Sequence, residues 1–167
     1  MLYIKKINKE DIEEEYNFLI NTPLTESGFN NPFCNIKKEN FEHICIDFLL
    51  NLANLSAPND FFRPTTTYFL WLDSKIIGVY QVIHELDEKL KNSHGHISYS
   101  ILKDYRNKGY GSKGLELVLE KAKKLIKEDE IYMHTSKDNQ ASLKVMINNG
   151  AYIAKETEND YYTRIKK

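Results

Sequence analysis

The stretch from Ile97 to Gly114, ISYSILKDYRNKGYGSKG, constrains this chain more than any other part of it. Its first residues alternate apolar and polar side chains, as a half-buried strand does, and a charged loop follows them. After the loop, apolar side chains recur every three or four residues and predict an amphipathic helix: Leu115, Val118, Leu119, Ala122, Leu125 and Ile126. The sequence therefore predicts a strand, a glycine-containing loop and a helix N-terminus in succession.

The loop between that strand and that helix has the composition of an anion site. A helix N-terminus presents free backbone N–H groups and carries roughly half a positive charge. Gly109 and Gly111 lack a Cβ atom, so the backbone can approach a ligand closely there. Arg106 and Lys108 add two cations beside it. The loop thus favours a phosphate ligand, and a pyrophosphate above all.

One interpretation of the glycines is a dinucleotide site. Gly109, Gly111 and Gly114 match the G-x-G-x-x-G fingerprint. The context argues against it, because a dinucleotide fold turns from strand to helix close to the first glycine, whereas five polar or aromatic residues intervene here. Too little chain follows for a second mononucleotide-binding half. Dinucleotide binding is therefore the weaker alternative.

The second interpretation uses the pattern Arg106-x-x-Gly109-x-Gly111. It resembles the acetyl-CoA loop of the GNAT N-acyltransferase superfamily, which has Gln/Arg-x-x-Gly-x-Gly/Ala between a strand and a helix. Acetyl-CoA carries a pyrophosphate, so this resemblance agrees with the anion site inferred from the residues themselves.

A later segment strengthens that resemblance. The superfamily has Asn-x-x-Ala/Ser on a helix that ends in glycine, and this chain has Asn139, Ser142 and Gly150 there. The two motifs stand in the family's order and at a similar separation. The resemblance covers about Thr66 to Ala154, whereas the segment before Thr66 matches in layout only.

The resemblance implies acetyl-CoA as co-substrate and no metal. Backbone near Ile101 would pair with pantetheine as an added strand would, and Asn139 and Ser142 would line the opposite wall. The pyrophosphate would bind N–H groups of the loop and of the helix start. The expected cofactor-binding residues are Ile101, Arg106, Asn107, Lys108, Gly109, Tyr110, Gly111, Ser112, Asn139 and Ser142.

The implied reaction is direct attack of a neutral amine on the thioester, without an acyl-enzyme. A backbone N–H near Tyr99 would stabilise the developing oxyanion. The base must take a proton from the incoming ammonium. Glu85 and His96 are the chosen candidates, and His84 is a further one. The alternative is that His84 and His96 are hydrogen-bonded residues at strand ends.

One position departs from the family pattern. Many members carry a tyrosine, the general acid, four residues after the Ala/Ser position, and Met146 stands there in this chain. A thiol with a pKa near 8.5 is already a fair leaving group. Either Tyr161 or Tyr162 supplies the acid, or no acid is used. A catalytically silent acyl-CoA sensor or scaffold is the alternative function.

The periodicities predict the element order β-α-α-β-β-β-α-β-α-β-β. That order is an α/β (α+β) fold, and the resemblance implies a GNAT-like, mostly antiparallel sheet with one parallel splayed strand pair near Ile101 and Ile131, and with helices on both faces. Residues 1–167 are expected to form a single domain.

The composition and charge of the chain limit the classes of partner that it can bind. A net charge of −1 provides no polybasic field for nucleic acid or an anionic membrane. No apolar run reaches membrane-spanning length. Cys34 and Cys45, without a signal-peptide pattern, suggest free thiols and a cytoplasmic location. The expected acceptor is a small-molecule or peptide amine, and the protein is expected to be a monomer or homodimer.

Overall fold

The computed structural model describes residues 1–26, 28–59 and 61–167. Its strands are β1 (Leu2–Lys6), β2 (Thr25–Glu26), β3 (Phe29–Asn30), β4 (Thr65–Leu72), β5 (Lys75–Ile83), β6 (Ile97–Ile101), β7 (Glu130–Ser136), β8 (Tyr152–Glu156) and β9 (Asp160–Lys166). Its α-helices are α1 (Ile12–Ile20), α2 (Lys38–Asn40), α3 (Asp47–Ala53), α4 (Glu88–Lys91), α5 (Tyr110–Leu125) and α6 (Gln140–Asn148). None of the described helices is long and apolar enough to cross a membrane.

Two antiparallel sheets form the centre of the fold. One has four strands in the order β1-β4-β5-β6, and the other has three in the order β7-β9-β8. Helix α5 packs against β1, β5 and β6, whereas α1 and α3 contact β5 and β4. The buried side chains accordingly form two clusters, one under α5 and one under α1 and α3. The predicted mixed α/β fold with helices on both faces is confirmed.

The helical region before β4 differs in detail from its prediction. A π-helical turn, Phe41–Ile46, joins α2 to α3. Such a turn inserts extra backbone and rotates the side chains that follow it. Ile44 is 53% exposed, whereas Ile46 is fully buried. The segment 21–33 contains the short β2–β3 hairpin.

Gly114 explains how closely α5 lies on the sheet. A Cβ atom there would stand 2.3 Å from the hydroxyl oxygen of Tyr80 and 2.8 Å from a methyl carbon of Leu70. The third glycine of the G-x-G-x-x-G pattern therefore serves close packing of the helix on the sheet.

Strands β6 and β7 separate from each other, as the resemblance implied. They belong to different sheets, and one isolated bridge, Gly95↔Met133, connects the chain segments at one end of the two strands. Next to this bridge, the His96 N–H donates to the Tyr132 carbonyl at 2.6 Å. That bridge is antiparallel, and the described residues contain no parallel ladder between the two strands. The end of β6 lines the cavity described below, and so does α6, the helix that follows β7.

We call the end of this gap nearest the bridge the closed end and the other the open end. The closed end consists of Gly95, His96, Glu128, Tyr132 and Met133. The open end consists of Tyr99, Ile101, Asn139 and Ser142.

Candidate active site

A cavity of about 510 Å³ lies between the end of β6, the loop before α5 and the first turns of α6. Most of the predicted site residues line it: Tyr99, Ile101, Arg106, Asn107, Gly109, Gly111, Ser112, Asn139 and Ser142. The structure adds lining residues that the motifs did not indicate: Ser100, Ala141, Lys144, Val145 and Asn148. Four of these residues lie on α6, and their helical spacing was a usable signal, since they share one side of the helix with Ser142.

The loop before α5 presents backbone donors to this cavity. Asn107 and Gly109 have left-handed backbone conformations, with φ of 60° and 82°. The first backbone bond of α5 runs from the Lys113 N–H to the Gly109 carbonyl. The N–H groups of the three preceding residues, 110–112, therefore have no acceptor within the helix. Donors of this kind form an anion site, and the loop suits a pyrophosphate.

Gly111 sets the width of the cavity beside that anion site. A Cβ atom there would lie 3.3 Å from a methyl carbon of Val145 and 3.7 Å from a side-chain carbon of Ile101. The Tyr80 hydroxyl donates to the Gly111 carbonyl at 3.0 Å and fixes the first turn of α5 on the sheet. A larger side chain at position 111 would therefore narrow the cavity.

The two cations of the loop have different positions. Arg106 donates from Nε to the Ile101 carbonyl at 2.8 Å, and its Nη2 pairs with Glu26 at 2.7 Å. Its guanidinium therefore ties the loop to β6 and to the β2–β3 hairpin, although it also lines the cavity. Lys108 donates to the Asp104 carbonyl and lies over the Tyr105 ring, outside the lining. Tyr110, another predicted cofactor-binding residue, packs against the Tyr105 ring and also lies outside the cavity lining.

The edge of β6 offers the backbone groups that the resemblance requires. The Leu102 N–H donates to the Ile77 carbonyl, and the register pairs Gly78 with Ile101. Hydrogen-bonded pairs alternate along an antiparallel ladder, so the N–H groups of Tyr99 and Ile101 face away from β5. They face the gap between β6 and β7.

A polar chain crosses the open end of the gap. The Tyr99 hydroxyl lies 2.8 Å from the Ser142 hydroxyl, and the Asn139 side chain accepts the Ser142 N–H at 3.1 Å. The Asn-x-x-Ser motif thus caps α6 and places a hydroxyl on the cavity wall. Burial raises the pKa of Tyr99 to about 12, although the Ser142 hydrogen bond lowers it in part.

That pKa decides what Tyr99 can do. Full proton transfer from such a phenol to a thiolate with a pKa near 8.5 would cost about 5 kcal/mol. Tyr99 therefore stays protonated and acts as a hydrogen-bond donor.

The predicted base His96 lies at the closed end of the gap, away from the cavity. Its side chain has no exposed surface. Its Nδ1 accepts the Tyr132 N–H at 2.9 Å, so its Nε2 carries the proton and donates to Glu128 at 2.9 Å. Burial lowers the pKa of His96, and the Glu128 hydrogen bond opposes that shift only in part. Both ring nitrogens are engaged, and the alternative of a strand-end structural histidine fits this geometry.

The other base candidates also lie outside the cavity lining. Glu85 pairs with Lys127 on the surface. The Nε2 of His84 lies 2.8 Å from the Thr66 hydroxyl, which again fits a structural residue. The structure therefore brings most of the predicted cofactor-binding residues together, apart from Lys108 and Tyr110, but does not bring any predicted base to the cavity.

Met146, which replaces the usual tyrosine, belongs to the core. It is 1% exposed, and the Thr163 hydroxyl donates to its sulfur at 3.3 Å. The two substitutes for the acid lie on β9, where Tyr161 packs under Lys137 and Tyr162 packs beside His134. Neither tyrosine is part of the cavity lining.

Residues 32–149 match the Acetyltransferase (GNAT) family. The chain belongs to this family. It is an acyltransferase whose acyl donor is acetyl-CoA. The comparison with curated proteins found no match. Within the described residues, no group of three His, Cys, Asp or Glu side chains is placed to hold a metal ion.

Solved structures with the same fold accompany this GNAT match. An acetyltransferase of the GNAT family from Streptococcus pneumoniae is 21% identical, with a TM-score of 0.65 over 98% of this chain and 97% of that one. Ribosomal-protein-S5-alanine acetyltransferase from Vibrio fischeri is 16% identical, with a TM-score of 0.69 over 99% and 92%. Campylobacter jejuni N-acetyltransferase PseH in complex with acetyl coenzyme A is 18% identical, with a TM-score of 0.57 over 100% and 99%.

Proposed function

We propose that residues 1–167 form one domain that transfers an acetyl group from acetyl-CoA to a primary amine of a small molecule or peptide. The amine attacks directly while both substrates are bound. The observation that carries this proposal is the position of the Tyr99 and Ile101 N–H groups, which face the gap beside the anion site of the α5 loop.

Different parts of the cavity bind different parts of acetyl-CoA. The N–H groups before and within the first turn of α5 bind the pyrophosphate, and the free edge of β6 pairs with the pantetheine. Acetyl-CoA supplies an activated acyl group as a thioester. The N–H of Tyr99 stabilises negative charge on the carbonyl oxygen, an effect worth a few kcal/mol of barrier. The Tyr99 and Ser142 hydroxyls are hydrogen-bonded to each other, which leaves one hydroxyl proton of the pair to donate toward the leaving sulfur.

The described residues indicate the amine acceptor less narrowly than they indicate the cofactor. One protein of the same fold is named for the alanine of ribosomal protein S5, which supports including a peptide N-terminus among the acceptors. The test set therefore contains a peptide with a free N-terminus, a polyamine, an aminoglycoside and single amino acids.

Thermal unfolding with coenzyme A, acetyl-CoA and NADH is the first test of this proposal. A ligand at a hundred times its dissociation constant adds about 2.7 kcal/mol to the free energy of unfolding. We expect stabilisation by acetyl-CoA and by coenzyme A. Gly111→Val should weaken it, because a larger side chain meets Val145, whereas Lys108→Ala should not. Stabilisation by NADH alone would contradict the proposal.

Thiol release with the amine set is the second test. Turnover with at least one amine is the expected result. Tight binding of acetyl-CoA with no turnover on any amine would favour the alternative of a catalytically silent sensor or scaffold.

A further inference from the structure

The free edge of β6 offers two residues to a ligand in the gap. Tyr99 and Ile101 each direct a backbone N–H and a backbone carbonyl away from β5, because both groups of a residue point to the same side of an antiparallel strand. This set of groups repeats every two residues, which is about 7 Å along the strand. The pantetheine chain carries two amide groups, so the edge by itself offers it more than one register.

The two carbonyls of this edge have different surroundings. The Ile101 carbonyl already accepts the Nε–H of Arg106 at 2.8 Å. Among residues 1–26, 28–59 and 61–167, no side chain donates to the Tyr99 carbonyl, and the Tyr99 hydroxyl lies away from it on Ser142. An amide N–H of a ligand therefore finds the Tyr99 carbonyl available and meets a guanidinium at the Ile101 carbonyl.

A carboxylate holds the Arg106 side chain in this position. The Nη2 of Arg106 donates to Glu26 at 2.7 Å, and the two side chains are 34% and 28% exposed. The planar guanidinium thus bridges a carboxylate and a backbone carbonyl in one fixed geometry. Without Glu26, the long arginine side chain would regain rotamer freedom and would leave the Ile101 carbonyl part of the time.

Glu26 itself belongs to a hairpin that the N-terminal core fixes. It pairs with Phe29 across the β2–β3 hairpin, and Phe29 is 2% exposed. Directly after the hairpin, Asn31 is 1% exposed, and its Nδ2 donates to the carbonyls of Leu19 and Thr22 at 2.7 Å each. Strand β3 also contacts β6. The fold thus places this carboxylate at the end of β6, although it lies 80 residues before Arg106 in the chain.

We propose that Glu26, acting through Arg106, sets the register in which the pantetheine of acetyl-CoA pairs with β6. This inference rests on the proposed function. With the Ile101 carbonyl occupied, an amide N–H of the pantetheine is directed to the Tyr99 carbonyl and an amide carbonyl to the Ile101 N–H. The Tyr99 N–H then remains for the thioester oxygen. Glu26 is a positioning residue, because its effect on the coenzyme passes through Arg106.

Loss of this register has its own kinetic signature. A coenzyme that binds in another register fills the site with its thioester away from the Tyr99 N–H, so kcat falls and the KM for acetyl-CoA does not rise. Loss of a phosphate contact would raise that KM instead. A purely structural loss would lower the free energy of unfolding and leave the kcat of the folded enzyme unchanged.

The test compares Glu26→Gln with the wild type on an amine that is turned over. We expect kcat to fall about 10-fold, because a small misplacement of the reacting atoms slows the reaction strongly, and the KM for acetyl-CoA to stay equal or fall. Inhibition by ADP, which has the pyrophosphate without the pantetheine, should be unchanged. Glu13→Gln is the matched control, because it removes a carboxylate from an exposed ion pair with Lys38.

A double variant tests whether Glu26 acts through Arg106. Arg106→Ala frees the Ile101 carbonyl directly and should lower kcat at least as much as Glu26→Gln does. Because the carboxylate then has no guanidinium to hold, adding Glu26→Gln to Arg106→Ala should lower kcat no further.

The outcomes separate this inference from the proposed function. With wild-type turnover present, a normal kcat in Glu26→Gln would overturn the register role and leave the proposed function standing. A raised KM as the only change, or a further fall in kcat in the double variant, would do the same. Absence of wild-type turnover on every amine would overturn both.

Discussion

Two histidine–carboxylate pairs, His96–Glu128 and His134–Asp160, stand in different surroundings in this molecule. At the closed end, His96 is fully buried, and its two nitrogens are engaged by the Tyr132 N–H and by Glu128. On β7, His134 pairs with Asp160 of β9, and the two side chains are 28% and 30% exposed. The first pair joins two sheets, whereas the second lies within one sheet and stays partly exposed.

The difference shows that burial and hydrogen bonding, rather than residue type, separate a histidine that cannot accept a proton from one that can. A buried imidazole resists protonation because its charged form loses hydration. An imidazole whose lone pair already accepts a backbone N–H has no site for an incoming proton. His96 meets both conditions, and His134 meets neither.

The largest expected effect is at the closed end. Gly95→Ala would place a Cβ atom 2.3 Å from the Tyr132 carbonyl oxygen, at a φ of 73°. We expect a loss of about 4 kcal/mol in the free energy of unfolding, from the backbone clash and the left-handed conformation together. Urea denaturation measures it. Gly150→Ala is the control, because Gly150 has a similar φ and open space around it, and an equal loss in both variants would refute the role of the closed end.

The next prediction compares the loss of unfolding free energy when each of the two histidines is replaced by alanine. His96→Ala leaves the Tyr132 N–H and Glu128 without their partner and should cost about 3 kcal/mol of unfolding free energy. His134→Ala breaks a part-exposed pair and should cost about 1 kcal/mol or less. Urea denaturation of both variants at pH 7 is the measurement. Similar losses would mean that the two pairs are equivalent in the fold.

Glu15 is a buried acid without a histidine partner, and its pKa can be compared with that of Glu128, which has one. Glu15 is 1% exposed, and burial raises its pKa from 4.5 to about 8, whereas the pKa of Glu128 is lowered. Folding therefore favours protonated Glu15, and the stability this group contributes is full below pH 4.5 and is lost as the pH rises through about 8.

Glu15→Gln should therefore stabilise the protein more at pH 7 than at pH 5.5. One proton over that interval corresponds to a difference of about 2 kcal/mol. Urea denaturation at the two pH values checks it, and Glu14→Gln on the exposed side of α1 is the control. An equal effect of Glu15→Gln at both pH values would contradict the raised pKa.

The smallest effect belongs to the open end. Tyr99→Phe removes the hydroxyl that bonds Ser142 and should cost about 1 kcal/mol of unfolding free energy. Turnover should fall about 10-fold, which corresponds to 1.4 kcal/mol of barrier. Tyr105→Phe is the control because Tyr105 lies outside the cavity lining. Unchanged kcat in Tyr99→Phe would restrict the role of this residue to its backbone N–H.

The cofactor side of the site could be predicted because its determinants are contiguous. A left-handed glycine, a helix N-terminus and a capping asparagine each act over a few neighbouring residues. Gly109, Gly111 and Asn139 accordingly lie where their motifs indicated. The same local patterns predicted β6, α5 and the order of the longer helices and strands.

The acceptor side depended on contacts between distant residues. His96 meets Tyr132 at a separation of 36 residues, His134 meets Asp160 at 26, and Arg106 meets Glu26 at 80. No local pattern indicates which histidine becomes buried or which carboxylate it meets. The sequence by itself determined the family, the fold class and the cofactor loop, because these follow from periodicity and backbone geometry. Only the tertiary structure decided which side chains are desolvated and which remain available for proton transfer, because desolvation is a property of the packed molecule.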